Sequence, residues 1–366
     1  MSSPSRRRRA AAAASITDVA ALAGVSAQTV SRVSTGSAQV RESTRVRVQE
    51  AMDRLGYVPN RAARALRGGS SGAIGLVGHD FGRTGELFTM RAVVLAAEER
   101  GYSVNVINVH DGTNDDWNRA VRRLPEQPMD ALILVRAELV DPELVSLPPS
   151  LPVCVSGYWP GSPHASVQID HVQGMVLAVE HLLALGHRTV HHVAGPADSG
   201  VAQARAQAWR RTLTLHGISP PEAIEGDWTA ESGRRAADEL LARPDVTAVA
   251  CGNDETAIGL IQALHERGVR IPEDVSVVGY DDIDLAPYVT PALTTVRQDF
   301  HAIGEQAVGL VLDQLDRLAR GERPTFPHVT IPVDLVVRHS TAAPPAVSWS
   351  SRRPPAAGSP PPTAST

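Results

Sequence analysis

The sequence predicts a small all-α unit followed by a much larger two-lobed α/β domain, and three observations carry that expectation. Charge is divided unevenly: residues 1–72 hold twelve arginines against four carboxylates, net +8, while the remaining 294 residues are net −13. Apolar spacing changes near residue 73, from helical stripes to apolar runs of four to seven residues that alternate with helical stretches. A chain of 366 residues also exceeds what one core organises, since single cores stop growing near ~250–300 residues. A basic module of this size is the electrostatic footprint of a polyanion binder.

Residues 1–14, with Arg6–Arg9 and Ala10–Ala14, read as a disordered basic tail. Their alanine run is too weakly apolar for a secretion leader and meets Asp18 before a hydrophobic core has built up. Residues 15–58 read as three short helices. Ser15 caps the first, with Asp18 near its positive end, and Gly24 permits the sharp turn. Ser26 caps a second helix that runs to about Val33, giving helix, tight turn, helix. Val48, Ala51, Met52 and Leu55 stripe a third helix that Gly56 ends. The shared core comprises that stripe with Val19, Leu22, Val25, Val30 and Val33. Ala27, Gln28 and Arg32 fall within about 140° of one another on the second helix, opposite Val30 and Val33, so that face is free to enter a groove. Residues 59–72 read as a linker ending in the break Gly68–Gly72, and residues 341–366, rich in Pro, Ala and Ser, as a disordered tail.

From Ala73 to residue 340 the strand-like runs are Ile74–Val77, Val104–Val109, Ala131–Val135, Val153–Ser156, Val190–Val193, Val246–Ala250, Val275–Val278 and Leu293–Val296. Their alternation with helices means parallel sheets wrapped on both faces, in two lobes with a cleft at the strand C-termini. No ~18-residue apolar run occurs, so no membrane partner is expected.

The series Asp18-Val19-Ala20, Ala23-Gly24-Val25-Ser26, Thr29-Val30-Ser31-Arg32-Val33 and Leu55-Gly56-Tyr57-Val58-Pro59-Asn60 resembles the helix-turn-helix headpiece of the LacI/GalR family of bacterial repressors. The resemblance implies that Ala27, Gln28 and Arg32 read base edges in the major groove, with Arg suited to guanine and Gln to adenine. It implies that Ser26, Thr29, Ser31 and Thr44 hold phosphates and that Thr17 and Gln39 also contact DNA. Residues Asn60 to Leu66 resemble the family's hinge helix, with Asn60, Ala63 and Leu66 at the duplex and Leu66 as a minor-groove wedge. Ser34-Thr35 departs from the usual Leu-Asn at that point of the headpiece.

The likeness continues through Glu180-His181-Leu182, Ala194-Gly195-Pro196, Gly226-Asp227-Trp228, Asn253-Asp254, Val277-Val278-Gly279-Tyr280-Asp281-Asp282 and Leu293-Thr294-Thr295-Val296-Arg297-Gln298. It implies a periplasmic-binding-protein-like domain and a small-molecule effector. Arg205, Trp228, Asn253, Asp254 and Gln298 are the implied cleft residues, with Asp80 a weaker candidate. An indole face suits a pyranose, and Asp and Arg suit paired hydroxyls. Gly157 stands near a position where related members carry a carboxylate, and the segment Asp80-Phe81-Gly82-Arg83 lacks the frequent Asn-Pro-Phe.

Several chemistries are excluded. All 35 basic residues are arginines, which removes the P-loop Lys, the Schiff-base Lys and the ATP-anchoring Lys of kinases. Two cysteines, Cys154 and Cys251, are too few for a disulfide framework or a structural zinc site and suit a reducing compartment. Neighbouring His191 and His192 point to opposite strand faces, away from a shared metal with His187. Asp281-Asp282-Ile283-Asp284 lacks the spacing of a calcium loop and reads as a turn. With no nucleophile elbow or His-Glu-x-x-His segment, no catalytic residue, metal or cofactor is expected. The expectation is a cytoplasmic, nucleoid-associated homodimer on double-stranded operator DNA, repressing sugar-utilisation genes until a carbohydrate releases it. An effector acting as co-repressor, an exported sugar-binding protein and a glycan-processing enzyme are the alternatives. The tail has no leucine heptads of the kind that make tetramers.

Overall fold

The computed structural model describes residues 14–34, 39–57, 70–79, 81–109, 113–124, 128–135, 147, 151–157, 161–243 and 246–346. The chain divides into two compact units, Met1–Ser71 and Gly72–Thr366.

In the first unit, α1 (Ile16–Ala23), α2 (Ala27–Ser34) and α3 (Glu42–Leu55) follow the expected order. A capping box starts α1: the Ser15 hydroxyl accepts the Asp18 N–H while the Asp18 carboxylate accepts the Ser15 N–H at 2.8 Å. Gly24 ends α1 at φ 64°, a left-handed conformation that favours glycine, and Gly56 does the same for α3 at φ 59°. The core is Val19, Ala20, Ala23, Val30, Val33, Val48, Ala51 and Met52. Leu22 departs from the sequence expectation: it is 45% exposed. The interior faces of three short helices are already filled by the smaller Ala20 and Ala23.

The second unit holds two sheets. The first runs, in spatial order, β2 (Ser103–Val109), β1 (Ala73–His79), β3 (Ala131–Val135), β4 (Val153–Ser156), β5 (Ala165–Ile169) and β10 (His328–Ile331), all parallel. The second runs β6 (His191–Val193), β7 (Ala248–Cys251), β8 (Ser276–Asp281), β9 (Thr294–Gln298) and β11 (Val333–Val336), parallel except for β11 at its edge. The central strands are buried on both faces, which is why they read as unbroken apolar runs. Helices α4 (Thr84–Glu99), α5 (Asn114–Arg122) and α10 (Phe300–Ala319) cover the first sheet; α6 (His171–Ala184), α7 (Gly200–Leu215), α8 (Ala230–Ala242) and α9 (Asp254–Glu266) belong to the second lobe. The chain therefore passes between lobes three times, near Asp170, Asp299 and Pro332, and two of these passages are tied where the Asp170 N–H meets the Ile331 carbonyl at 2.9 Å.

Three strands, β5, β10 and β11, were not expected. Each is four or five residues long, and β10 and β11 mix exposed and buried positions at sheet edges, which dilutes the apolar signal. The start assigned to the C-terminal tail also needs correction, because the chain stays packed beyond Thr341. Thr341 meets His181 at 3.0 Å, and Ala342 exchanges two 3.0 Å hydrogen bonds with the Ser276 hydroxyl. His187 donates from Nε2 to the Ala342 carbonyl at 3.0 Å, so its Nδ1, 2.9 Å from the Thr247 hydroxyl, accepts. Buried hydrogen-bonding groups, not apolar side chains, hold this strap, so composition alone gave no sign of it. Among the described residues no helix is long and apolar enough to cross a membrane.

Candidate functional site

Two surfaces carry the chemistry, one on each unit. On the first unit, Ser26 sets α2 by accepting the Thr29 N–H at 3.1 Å, and its hydroxyl lies 3.0 Å from the Thr29 hydroxyl. Val30 and Val33 point into the core, which leaves Gln28 and Arg32 exposed and Thr29 and Ser31 half-buried. Ala27 packs partly onto the core, so it offers little beyond a methyl edge. Thr17 and Gln39 are exposed, and Thr44 is half-buried in the first turn of α3. Asn60, Ala63 and Leu66 lie outside the described residues, as does Asp80.

On the second unit a cavity of about 470 Å³ opens between the lobes. Val135, Ser156, Ile169, Asp281 and Gln298 line it, and each is the last residue of its strand, β3, β4, β5, β8 and β9 respectively. Strand C-termini gather there because every helix returns the chain to the opposite edge of a parallel sheet. The N-termini of α4, α6, α8, α9 and α10 supply Thr84, His171, Ala230, Glu255 and Phe300.

Trp228 forms one wall. It adopts φ 69°, and its ring occupies space left by Gly195, where a Cβ would stand 2.3 Å from a ring carbon. Asn253 fixes this residue by donating to its carbonyl at 2.9 Å, while its side-chain oxygen caps α9 through the Thr256 N–H at 3.0 Å. The same amide nitrogen donates to Glu255 at 2.9 Å. Across the cleft, the Thr84 hydroxyl of the first lobe donates to Glu255 of the second.

Arg205 also lines the cavity and is almost wholly buried, at 3% exposure. It donates to the Gly252 carbonyl at 2.5 Å and to His171 Nδ1 at 3.2 Å, lies 3.6 Å from Asp281, and stacks 3.6 Å from the Tyr280 ring centroid. Gly174 lets Tyr280 reach this position, since a Cβ there would meet its hydroxyl at 2.1 Å. Burial, and then the charge of Arg205, hold His171 well below its ordinary value, which keeps Nδ1 free to accept. Asp281 accepts from Gln298, yet burial outweighs Arg205 and pushes its carboxyl up to about 7.

Of the cleft residues that the resemblance implies, the structure places Arg205, Trp228, Asn253 and Gln298 in the lining of the cavity. Asp254 is the exception. It is fully buried and turned away from the cavity, accepting the Ile283 N–H at 2.9 Å and the Thr295 hydroxyl at 2.5 Å. The first residue of α9 faces the sheet, and its carboxylate serves a backbone donor of the turn after β8. Conversely, Asp281 was read only as part of a turn. A charged residue closing the apolar run of β8 at the C-terminal end of a parallel strand was the available signal. Its neighbour Asp282 does belong to that turn, at φ 55° and paired with Arg297 and Arg338, each at 2.6 Å.

Residues 15–60 match the bacterial regulatory proteins of the lacI family, and residues 179–341 match a periplasmic binding protein-like domain. Over 334 residues, 89% of this chain and 90% of the relative, the chain is 36% identical to the lactose operon repressor of Escherichia coli strain K12. The chain belongs to the LacI family. The ribose operon repressor of the same strain is 32% identical over 310 residues, 82% of this chain and 93% of that one. A crystal structure of the lac repressor dimer bound to operator and the anti-inducer ONPF gives a TM-score of 0.79 at 35% identity, covering 90% of this chain and 99% of that one. The transcriptional regulator CelR in complex with cellobiose gives 0.67 at 32% identity, covering 89% and 99%. As a LacI-family member the chain is a DNA-binding transcriptional repressor whose larger unit answers to a small molecule, and it is not an enzyme.

Proposed function

We propose that this LacI-family chain is a cytoplasmic, nucleoid-associated homodimer that represses sugar-utilisation genes and releases its operator when a carbohydrate fills the cleft. The observation that carries the sugar reading is Trp228, an indole seated in a glycine-lined recess beside Asn253, Asp281 and Gln298. A flat apolar face beside fixed donors and acceptors is what a pyranose ring offers groups to meet. The lactose operon repressor and the CelR–cellobiose complex support it by likeness.

Two headpieces would set their α2 faces in successive major grooves of a pseudo-palindromic site, with Arg32 and Gln28 at base edges and Ser26, Thr29, Ser31 and Thr44 at phosphates. Hinge residues Asn60, Ala63 and Leu66 would add minor-groove contacts. Sugar binding acts on DNA affinity only through its preference for one lobe arrangement over the other. Contacts that span the lobes, such as Thr84 to Glu255, are therefore the ones to change with occupancy.

The decisive experiment measures binding of the full chain to duplexes from upstream of its own gene and to scrambled competitors, near 150 mM salt, with and without a panel of sugars. Preferential binding that a sugar weakens is expected; equal affinity for all duplexes under every condition would sink the proposal. On the same duplexes, Arg32→Ala should lose ~1–3 kcal/mol for the preferred sequence and far less for scrambled DNA. Gly195→Ala pushes a methyl into the Trp228 ring, so affinity for the active sugar should fall at least about tenfold by calorimetry while DNA binding persists. An unchanged sugar affinity would mean that the indole does not form the platform.

A further inference from the structure

The cleft is larger than one sugar ring requires. Its volume of about 470 Å³ would hold ~350 Å³ of atoms at the ~0.74 packing density of a protein interior, whereas a single hexose supplies ~150 Å³ and a disaccharide ~300 Å³. A lone hexose would leave over half of that space to water. The room is set by the backbone: β4 ends at Ser156, and Gly157 follows on the cavity wall at φ 129°, a conformation that a side chain would strain. Aromatic walls come from both lobes. Trp228 belongs to the second, while Phe300 opens α10 on the first, where Phe88 holds it edge to face with ring centroids 5.3 Å apart.

Hydrogen-bonding groups left open by the protein also come from both lobes. On the first, the Ser156 hydroxyl makes no hydrogen bond among the described residues, although Ser156 is only 4% exposed. On the second, the buried Arg205 Nε–H likewise has no partner among the described residues. Gln298 donates from its amide nitrogen to Asp281, which leaves the amide oxygen as an acceptor. His171 accepts from Arg205 at Nδ1, so its neutral ring carries the proton on Nε2. All four residues line the cavity. Buried polar groups are rarely left unpaired, so the cavity is where their partners bind.

Resting on the reading of the cleft as a carbohydrate site, we infer that the effector is a disaccharide, with one pyranose ring on Trp228 and the second against Phe300 and Ser156. A single ring on Trp228, beside Arg205 and Gln298, meets groups of the second lobe alone. It would bind the open and closed arrangements almost alike and shift neither. The second ring reaches the first lobe, and its contacts there are complete only when the lobes close. That difference in affinity is what an effector needs in order to shift the population. The second unit is a hydroxylated ring and not a purely apolar group, because the wall it meets carries the Ser156 hydroxyl as well as an aromatic ring.

Calorimetry of the full chain tests this with cellobiose, lactose, maltose, melibiose and trehalose against glucose and galactose, the single sugars that compose them. At least one disaccharide should bind about tenfold or more tightly than either of its components. Phe300→Ala should bring that ratio to within about threefold by weakening the disaccharide while leaving the single sugar nearly unchanged. Ser156→Ala, which removes one oxygen, supplies an independent comparison should Phe300→Ala unfold, and it should weaken the disaccharide about threefold or more and its components not at all. Single sugars binding as tightly as the disaccharides that contain them, or a ratio unchanged in every folded variant, would overturn the disaccharide assignment and leave the carbohydrate reading standing. Failure of every sugar, single or double, would overturn both.

Discussion

Replacing Arg205 by methionine should destabilise the larger unit by ~3–5 kcal/mol at pH 8, the usual loss when one partner of a buried ion pair is removed. Arg205 is 3% exposed and is the cation beside Asp281, which is itself 6% exposed. Methionine fills much of the volume but leaves the Gly252 carbonyl, His171 Nδ1 and the Asp281 carboxylate short of a donor. The penalty is pH-dependent in a definite direction. Without the guanidinium the Asp281 carboxyl rises further above 7 and takes up a proton at lower pH, so the loss should be smaller at pH 5.5 than at pH 8. Urea unfolding followed by tryptophan fluorescence measures it cleanly, because all five tryptophans lie beyond residue 116 and none is in the headpiece. Adding Asp281→Asn to Arg205→Met should restore at least half of the loss, since the uncompensated charge is then gone. A loss under about 1 kcal/mol at both pH values would show that Arg205 and Asp281 do not depend on each other.

The parts of this architecture that were legible in the sequence are those held by apolar periodicity and by turn chemistry. Val30 and Val33 had to face inward for α2 to pack, which by subtraction left Gln28 and Arg32 outside. Gly24 and Gly56 ended their helices because both adopt the left-handed conformation. The wholly buried β3, β4 and β7 showed as apolar runs, whereas β10 and β11 did not, because edge strands satisfy their backbones without a continuous apolar face. In the cleft, Trp228 and Arg205 were recognisable by type and pattern, but orientation was not. Asp254 and Asp281 are both acidic residues at a strand-to-helix or strand-to-turn junction, and only three-dimensional packing decides which faces the cavity. Asp254 turns toward the Ile283 N–H and Thr295, in a space that Gly279 keeps open by having no side chain. Glu255 was equally invisible, since its partner Thr84 lies 171 residues away on the other lobe.

The buried acid at the end of β8 also predicts how stability varies with pH. The folded Asp281 carboxyl is raised from 3.8 to about 7, chiefly by burial, with Glu255 and Glu86 adding to the rise and Arg205 and Gln298 opposing it. Between pH ~4 and ~7 the folded protein thus holds a proton that the unfolded chain has already released, and folding is weakened by ~1.4 kcal/mol for each pH unit climbed. The contribution is fully present below pH ~4 and gone above pH ~7, a swing of ~4 kcal/mol across the window. Asp281→Asn keeps an oxygen for Gln298 but no longer titrates. Its unfolding free energy from urea titrations between pH 4.5 and 6.5 should therefore fall less steeply than that of the parent by ~1.4 kcal/mol per pH unit. Some slope should survive in the variant, because burial and neighbouring carboxylates also hold Asp254 well above its ordinary value. Parallel profiles for the two proteins would mean that Asp281 ionises in the folded cleft as readily as in water. In that case burial would not dominate its environment, and Arg205 would compensate it fully before any ligand arrives.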